Sequence, residues 1–493
     1  MSSYAVSFSA FTDGDGRKLL WAVFLGSLIL SLVASLCNPI LARDAALYLD
    51  IAAHYREDGF SESFERFDWP WFPMLLGLLH WISGLDLELI GRLLCELFTA
   101  IACVACVDIV RRTRVELLSW AALAVLAVPA FNAYRGDILR ENGFWCFAML
   151  GLWCMHRWMV SRRLSLLLLG FVAVLVATLF RFEAMYLVLV VPVVAVLRVH
   201  GGPLKRSVAI VLGGVGVLAV CMGLVWARRH GWLPQGRIDE YVAHLELPSL
   251  LAGLHQFASR LAESMPFEYA REDAALILLM GLFGYLLLKV FSSLGVMVVP
   301  WLYGAIERRR NRDRDWLLLD VAAAGYLVIL LLFLIDHLFL SARYVAFLGF
   351  LLVPVMAMGL HGLAVLWPRL RPWLVGGVLL LALANVVSFS APKTHLRDAG
   401  LWLGSHLSRE ARVYQEDNRL GYFAGWGYGS EGRDREQALA LKGHDAYEYF
   451  ALDLKREPEA QLAQLKAKGL EPLAEFHNRR GETYVIFRRA KVP

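Results

Sequence analysis

Apolar residues come in runs of about 20, separated by short polar breaks, from Leu19 to Phe389. That is the length an α-helix needs to cross a hydrocarbon core. The runs place about 11 spans, at 19–38, 87–110, 117–133, 143–160, 164–180, 184–198, 207–227, 274–304, 316–335, 344–365 and 373–389. After Phe389 the pattern changes. "ARVYQED" and "ETYVIFRR" alternate or run apolar as strands do, and "EPEAQLAQLKAKGL" has helical spacing with a glycine stop. "HNRRGE" reads as a hairpin turn between strands. The expected fold class is a polytopic α-helical membrane protein with a C-terminal soluble α/β domain, divided as 1–390 and 391–493.

Charge orients these elements. Basic clusters fall at Arg17-Lys18, Arg111 to Arg114, Arg162-Arg163, Arg198 to Arg206, "ERRRNRDR" (307–314) and "WPRLRP" (367–372). Between clusters the chain is mostly a pair of apolar runs, as in hairpins whose basic ends face the cytoplasm. Pro70 to Ser83, "PWFPMLLGLLHWIS", is too short for a comfortable span. Read as a helix lying at the interface, it keeps every basic cluster inside. The N-terminus is then cytoplasmic, and Arg17 and Lys18 precede an uncleaved first helix, not a signal peptide. The outer, periplasmic face receives a long first loop (39–86), "NAYRGDILREN" (132–142), the "RFE" turn (181–183), a second long loop (228–273), "DHLFLSAR" (336–343) and the C-terminal domain.

Composition agrees with this reading. The 493 residues are 58% hydrophobic and 19% charged, with a net charge of +5 and a mean hydropathy of +0.52. All seven cysteines (37, 95, 103, 106, 146, 154, 221) lie in or beside apolar runs. Cys103 and Cys106 match CxxC, but in an apolar helix they read as packing residues. The chain has no glycine-rich phosphate loop ending in Lys-Ser/Thr, no HExxH and no G-x-S-x-G. That argues against an ATP-driven pump, a zinc protease or a serine hydrolase. No basic-aromatic surface suggests nucleic acid.

Four polar features interrupt the apolar pattern on the outer face. In "ARDAALYLDIAAHY" (42–55) an amphipathic helix would carry Asp44 in its first turn, where the helix dipole favours a carboxylate. Asp44 is then either an N-terminal cap or a catalytic acid. Asp50, His54 and Asp58 share a separate face, and Asp50 reads as a solvated or structural acid. In "YRGDILRENGFW" the spacing of four puts Asp137 and Glu141 on one helix face, flanked by Arg135 and Arg140. In "FRFEAMY" Arg181 and Glu183 are ionisable groups at a depth where charge is costly, at a spacing poor for pairing on a helix. "IDHLFLSARY" contributes Asp336, His337, Arg343 and Tyr344. Arg181 and Arg343 suit an anionic head group, and equally suit snorkelling anchors.

These pieces in this order resemble the GT-C superfamily of polytopic glycosyltransferases. The resemblance is nearest to the bacterial branch of protein O-mannosyltransferases and the lipid A aminoarabinose transferase. It rests on "RDAALYLDIA" after the first span, "WPWFPMLLGLLHWISG", "RGDILREN" and "ARYVAFLGFLLVP". The resemblance implies an inverting glycosyltransferase of the bacterial inner membrane that uses a polyprenyl-phosphate sugar. Asp44 takes the role of base, Asp137 or Glu141 that of the second acid, and Arg181 and Arg343 bind the donor phosphate. Tyr48, Glu183, His337 and Tyr344 complete the expected substrate site. The implied partners are the lipid-linked donor, membrane lipid and a periplasmic acceptor: a protein, lipid A or a surface glycan. No cofactor is required, and a divalent metal is allowed without being implied. Two departures separate the chain from its relatives. Asp44 is followed by Ala45 where the mannosyltransferases often have Asp-Glu, and "FDWP" replaces the basic residue before the "P-x-Y-P" stretch. The resemblance therefore carries a reaction type and leaves the donor sugar and acceptor open. A transporter or flippase of a lipid-linked precursor is the alternative.

Overall fold

The computed structural model describes residues 13–198, 222, 226, 229–230, 247–311, 314–387, 392–429, 434–441, 446–454 and 458–490. The predicted span 207–227 falls outside them apart from Met222 and Trp226, as does the first part of the predicted loop 228–273, up to residue 246, apart from Arg229 and His230. The chain forms two compact units. One comprises Met1–Leu32, Leu94–Arg135 and Arg140–Val386; the other comprises Val33–Leu93, Gly136–Leu139 and Val387–Pro493.

The helices up to residue 198 are α1 (Asp13–Cys37), α2 (Arg43–Arg66), α3 (Trp71–Ser83), α4 (Leu87–Thr113), α5 (Leu118–Ala127), α6 (Pro129–Asn132), α7 (Arg140–Ser161), α8 (Leu164–Phe180) and α9 (Val190–Arg198). Then come α10 (Leu247–Ser264), α11 (Glu268–Glu272), α12 (Ala274–Leu294), α13 (Val298–Asn311), α14 (Leu317–His337), α15 (Ala342–Leu366) and α16 (Arg371–Ala384). Among the described residues, 6 helical segments are long and apolar enough to cross a membrane: 14–37, 87–113, 115–132, 274–311, 317–337 and 342–366. The other predicted spans that lie among the described residues are shorter or more polar. α8 has 17 residues and α16 has 14. The predicted span 274–304 is broken at Gly295, whose φ of +54° starts a 3-10 turn between α12 and α13.

Packing in the first unit has the sidedness of a membrane protein. Along α1, Trp21, Leu25, Ile29 and Leu32 are exposed at helical spacing, while Ser27 and Ser31 are buried. That inverts the soluble rule. Small residues permit close helix crossings. A side chain on Gly151 would meet Val174 at 2.8 Å, and Gly359 has no room for a Cβ against the Pro300 carbonyl. Phe131 and Phe350 stack at 3.6 Å inside the bundle.

In the second unit α2 and α3 pack where Gly77 lies on the Ala52 carbonyl. α3 covers the predicted interfacial segment and ends at Gly84, in the left-handed conformation glycine tolerates best. The C-terminal segment adds α17 (Thr394–His406), β1 (Val413–Gln415), α18 (Arg419–Phe423), α19 (Arg435–Ala440), β2 (Tyr449–Leu454), α20 (Pro458–Ala467), β3 (Leu470–His477) and β4 (Thr483–Arg489). The strands form one sheet in the order β1-β2-β4-β3, with β1 and β2 parallel and the other pairs antiparallel. Strand alternation makes two cores. Tyr484 and Ile486 pack with α17 residues Leu396, Ala399 and Leu403. Val485 and Phe487 pack on the other face with Phe450 and Leu465. The hairpin read from "HNRRGE" is formed: Asn478 Oδ1 accepts from the Arg480 and Glu482 amides, and Gly481 turns with φ +78°.

Candidate functional site

Two charged clusters hold the predicted site residues, one in each unit. The cluster of the first unit centres on Arg181. α8 stops there because Arg181 is extended (φ −145°, ψ 120°), and a 3-10 turn over Phe182–Leu189 follows. That break lets residues two apart meet. Arg181 donates from Nη2 and Nε to the Glu183 carboxylate at 2.5 and 3.3 Å, and from Nη1 to Glu141 Oε1 at 2.9 Å. The poor spacing expected for Arg181 and Glu183 applies to a continuous helix, and here the helix has ended. Arg181 is 6% exposed, which excludes a snorkelling anchor.

Arg343, in the first turn of α15, brings its Nε within 3.6 Å of Glu141 Oε1. Tyr344 lies beneath both arginines, with guanidinium carbons 4.4 Å (Arg181) and 5.2 Å (Arg343) from its ring centre. Tyr326 donates to the Tyr344 carbonyl at 2.7 Å, which fixes the start of α15. Arg140 and Glu141 open α7 and are both buried. Three arginines (140, 181, 343) thus surround two glutamates (141, 183), a surplus of positive charge in an apolar bundle. Glu141 Oε2 is buried and accepts no hydrogen bond among the described residues. His337 is drawn aside. It pairs with Asp336 at 2.9 Å and stacks on Phe333, whose ring also meets Tyr344.

Asp137 does not share a helix face with Glu141. α7 starts at Arg140, and Asp137 occupies a bend before it. The backbone there is tied elsewhere, with Arg92 donating to the Gly136 carbonyl at 3.2 Å. The two acids belong to different units.

The cluster of the second unit holds Asp44. It sits half-buried in the first turn of α2, as the dipole argument expects. Its neighbours in sequence are clamped. Arg43 donates to Asp417 Oδ2 at 3.1 and 3.3 Å, and Arg419 pairs with Asp417 at 2.8 Å. Arg419 also reaches the Leu41 carbonyl at 2.9 Å. Burial would push the Asp417 carboxyl up, but the hydrogen bonds of Arg419 and the charge of Arg43 hold it down at about 2. Arg43 in turn is raised, chiefly by the charge of Asp417. The Tyr428 phenol is pushed up by burial first, then by Asp417, with the Asp44 charge adding to it.

Tyr48, expected to touch substrate, is 2% exposed and packs against Phe67 and Phe72 at 5.7 and 5.6 Å. It supports the fold of the loop. Asp50 is a structural acid, 8% exposed and held by Arg66 at 3.5 Å. The solvated alternative does not apply. Asp417 and Arg419 carry no sequence signal beyond their position, in "QEDNRLGY" after a strand, while Tyr428 lies in the glycine-spaced aromatics "GYFAGWGYGS", of the kind that stack on sugars or form plain turns. Cys103 and Cys106 are fully buried and unbridged, as packing residues are. Among the described residues no three His, Cys, Asp or Glu side chains gather as metal ligands.

No family model matches the chain, and no curated protein matches it by sequence. Solved structures do. The chain is similar to the oligosaccharyltransferase of Archaeoglobus fulgidus, solved with zinc and sulfate, with a TM-score of 0.53 and 12% identity over 96% of this chain and 74% of that one. It is also similar to ArnT of Cupriavidus metallidurans, solved with undecaprenyl phosphate, with a TM-score of 0.48 and 14% identity over 97% of this chain and 99% of that one. At these identities the likeness is one of fold. The chain resembles the GT-C membrane glycosyltransferases in fold, as its sequence motifs implied.

Proposed function

We propose that this protein is an inverting glycosyltransferase of the bacterial inner membrane, moving a monosaccharide from a polyprenyl-phosphate donor to a periplasmic acceptor. The acceptor is a protein, lipid A or a surface glycan. The observation that carries the reading is the cluster of Arg140, Arg181, Glu141 and Glu183, with buried side chains, beside the partly exposed Arg343, at the ends of apolar helices. Charges at this depth are costly and are kept for a purpose. A surplus of arginine suits a phosphate that becomes a leaving group and needs its charge stabilised, not protonated.

In this reading Arg343, the more accessible of the two, meets the donor phosphate, while Arg181 holds the two glutamates and adds its field. Glu141, buried against both arginines, presents Oε2 as an acceptor for a hydroxyl of the donor sugar. Asp44 keeps the role of base that its sequence motif implies, taking the proton of the acceptor hydroxyl. A single displacement inverts the anomeric carbon. The arginines supply the charge that a metal would otherwise supply, so no divalent cation is required. The lipid tail keeps the donor at the membrane surface, which accounts for a site built at the ends of spans.

Purified protein incubated with a panel of polyprenyl-phosphate sugars and membrane acceptors tests this, with product mass and anomeric configuration as the readout. Asp44→Asn lowers the rate at least about 100-fold, the low end of a general base's contribution. Wild-type transfer by Asp44→Asn, or retention at the anomeric carbon, would sink the mechanism.

A further inference from the structure

The first unit contains a cavity of about 490 Å³ that this transfer reaction does not use. The ends of α4, α7 and α9 meet the start of α14 around it. One side is polar and basic, from Arg112, Thr113, His156 and Arg314; the other is apolar, from Met159, Val160, Leu197 and Leu317. Two of the basic clusters read from sequence, 111–114 and 307–314, converge here although they are far apart in the chain.

The basic side is built. His156 is 8% exposed and lies 3.2 Å from the Thr113 hydroxyl. Asp108, 5% exposed, ties Arg111 at 2.7 Å, Arg112 at 2.5 Å and the Trp153 indole at 2.7 Å. A guanidinium has five N–H donors. Asp108 takes the one on Arg112 Nε. Asp315, the acid on the rim, is paired with Arg114 at 2.8 Å. Trp316 is 1% exposed, with the guanidinium carbons of Arg114 and Arg308 at 5.6 and 5.5 Å from its ring centre. Among the described lining residues, Arg112 and Arg314 outnumber Asp315.

The surroundings identify the ligand. Val160 is 77% exposed and Leu164 is 62% exposed, so the cavity opens beside an apolar outer surface. Trp153 and Trp158 at the same end of α7 carry Arg157 and Arg162 at 4.8 and 5.7 Å. Tryptophan and arginine together mark headgroup depth. We propose that this cavity binds an anionic phospholipid, its phosphate diester held by Arg112 and Arg314 and its acyl chains running out past Val160. The shared chemistry is that of phosphate, and the apolar exit favours the lipid over the free anion.

Native mass spectrometry of the full chain from nanodiscs of phosphatidylglycerol or phosphatidylcholine tests this. Wild type retains phosphatidylglycerol preferentially. Each arginine near an anionic surface is worth about fivefold, so Arg112→Gln with Arg314→Gln lowers that retention about 25-fold. Arg314 is exposed, so Arg314→Gln alone keeps the fold and lowers retention about fivefold. Equal retention by wild type and both variants overturns the proposal, as does equal retention of the two lipids. Inorganic phosphate alone is the remaining arm. If it raises the melting temperature with the same arginine dependence and displaces the lipid at millimolar concentration, the ligand is the free anion and the lipid assignment falls.

Discussion

Arg181 and Arg343 carry the same charge but stand in different surroundings, and their variants separate accordingly. Arg181 holds two buried carboxylates, so Arg181→Gln leaves Glu141 and Glu183 without their main partner. Loss of one partner of a buried ion pair costs about 3–5 kcal/mol. The expected outcome is a large drop in melting temperature in detergent together with loss of transfer. Arg343 is partly exposed and stands at 3.6 Å from Glu141. Arg343→Gln leaves the melting temperature nearly unchanged and lowers kcat/KM for a polyprenyl-phosphate donor by about 10- to 100-fold, as loss of a charge-assisted contact does. Equal thermal effects of the two variants would contradict this division. Both arginines were legible in the sequence, since each breaks an apolar run. The pairing of Arg181 with Glu183 was not, because it depends on the helix ending at Arg181.

The N-terminus of α2 is the element on which the proposed chemistry turns, and residues 374 positions away hold it. Asp417 is the shared partner of Arg43 and Arg419. Its carboxyl, ordinarily near 3.8, is held at about 2. A depressed acid stabilises the fold above its unfolded pKa and loses that contribution as pH falls through the folded value. The unfolding free energy of the wild type therefore falls between about pH 4 and pH 2 by an increment on the order of 2 kcal/mol that Asp417→Asn lacks, read as a steeper fall of its melting temperature. Parallel pH profiles for the two proteins would refute it. At neutral pH, Asp417→Asn destabilises more than Arg43→Gln. Asp417 is nearly buried and serves two arginines, whereas the Arg43 side chain is 62% exposed. Urea titrations of the two variants and their double measure the coupling. The helical spacing of α2 and the place of Asp44 in its first turn were readable from the periodicity. The anchoring of its neighbours was not, since no local pattern ties Arg43 to Asp417. Asp137 marks the opposite limit: a spacing of four implies a shared helix face only where the helix includes both residues.

At the scale of the whole molecule, the first long loop and the C-terminal segment fold into one unit, and most of the apolar helices form the other. A reaction that relies on arginine for charge makes a further prediction. Transfer by purified protein survives EDTA, and added magnesium, manganese or zinc does not raise it. A rate that falls with chelation and returns with one metal would show that arginine is not sufficient. The amino-acid sequence alone determined the membrane class, the helix periods, the C-terminal strands and hairpin, and the polar breaks at Asp44, Glu141, Arg181 and Arg343. Those features are local: they follow from run length, period and turn chemistry within a few tens of residues. Only the tertiary structure decided which breaks meet. It joined Glu141, Arg181 and Arg343 from three helix ends, clasped Arg43 with Asp417, buried Tyr48 and set Asp137 apart. Such contacts depend on where helices stop and how small residues let them cross, and chain spacing does not encode those distances.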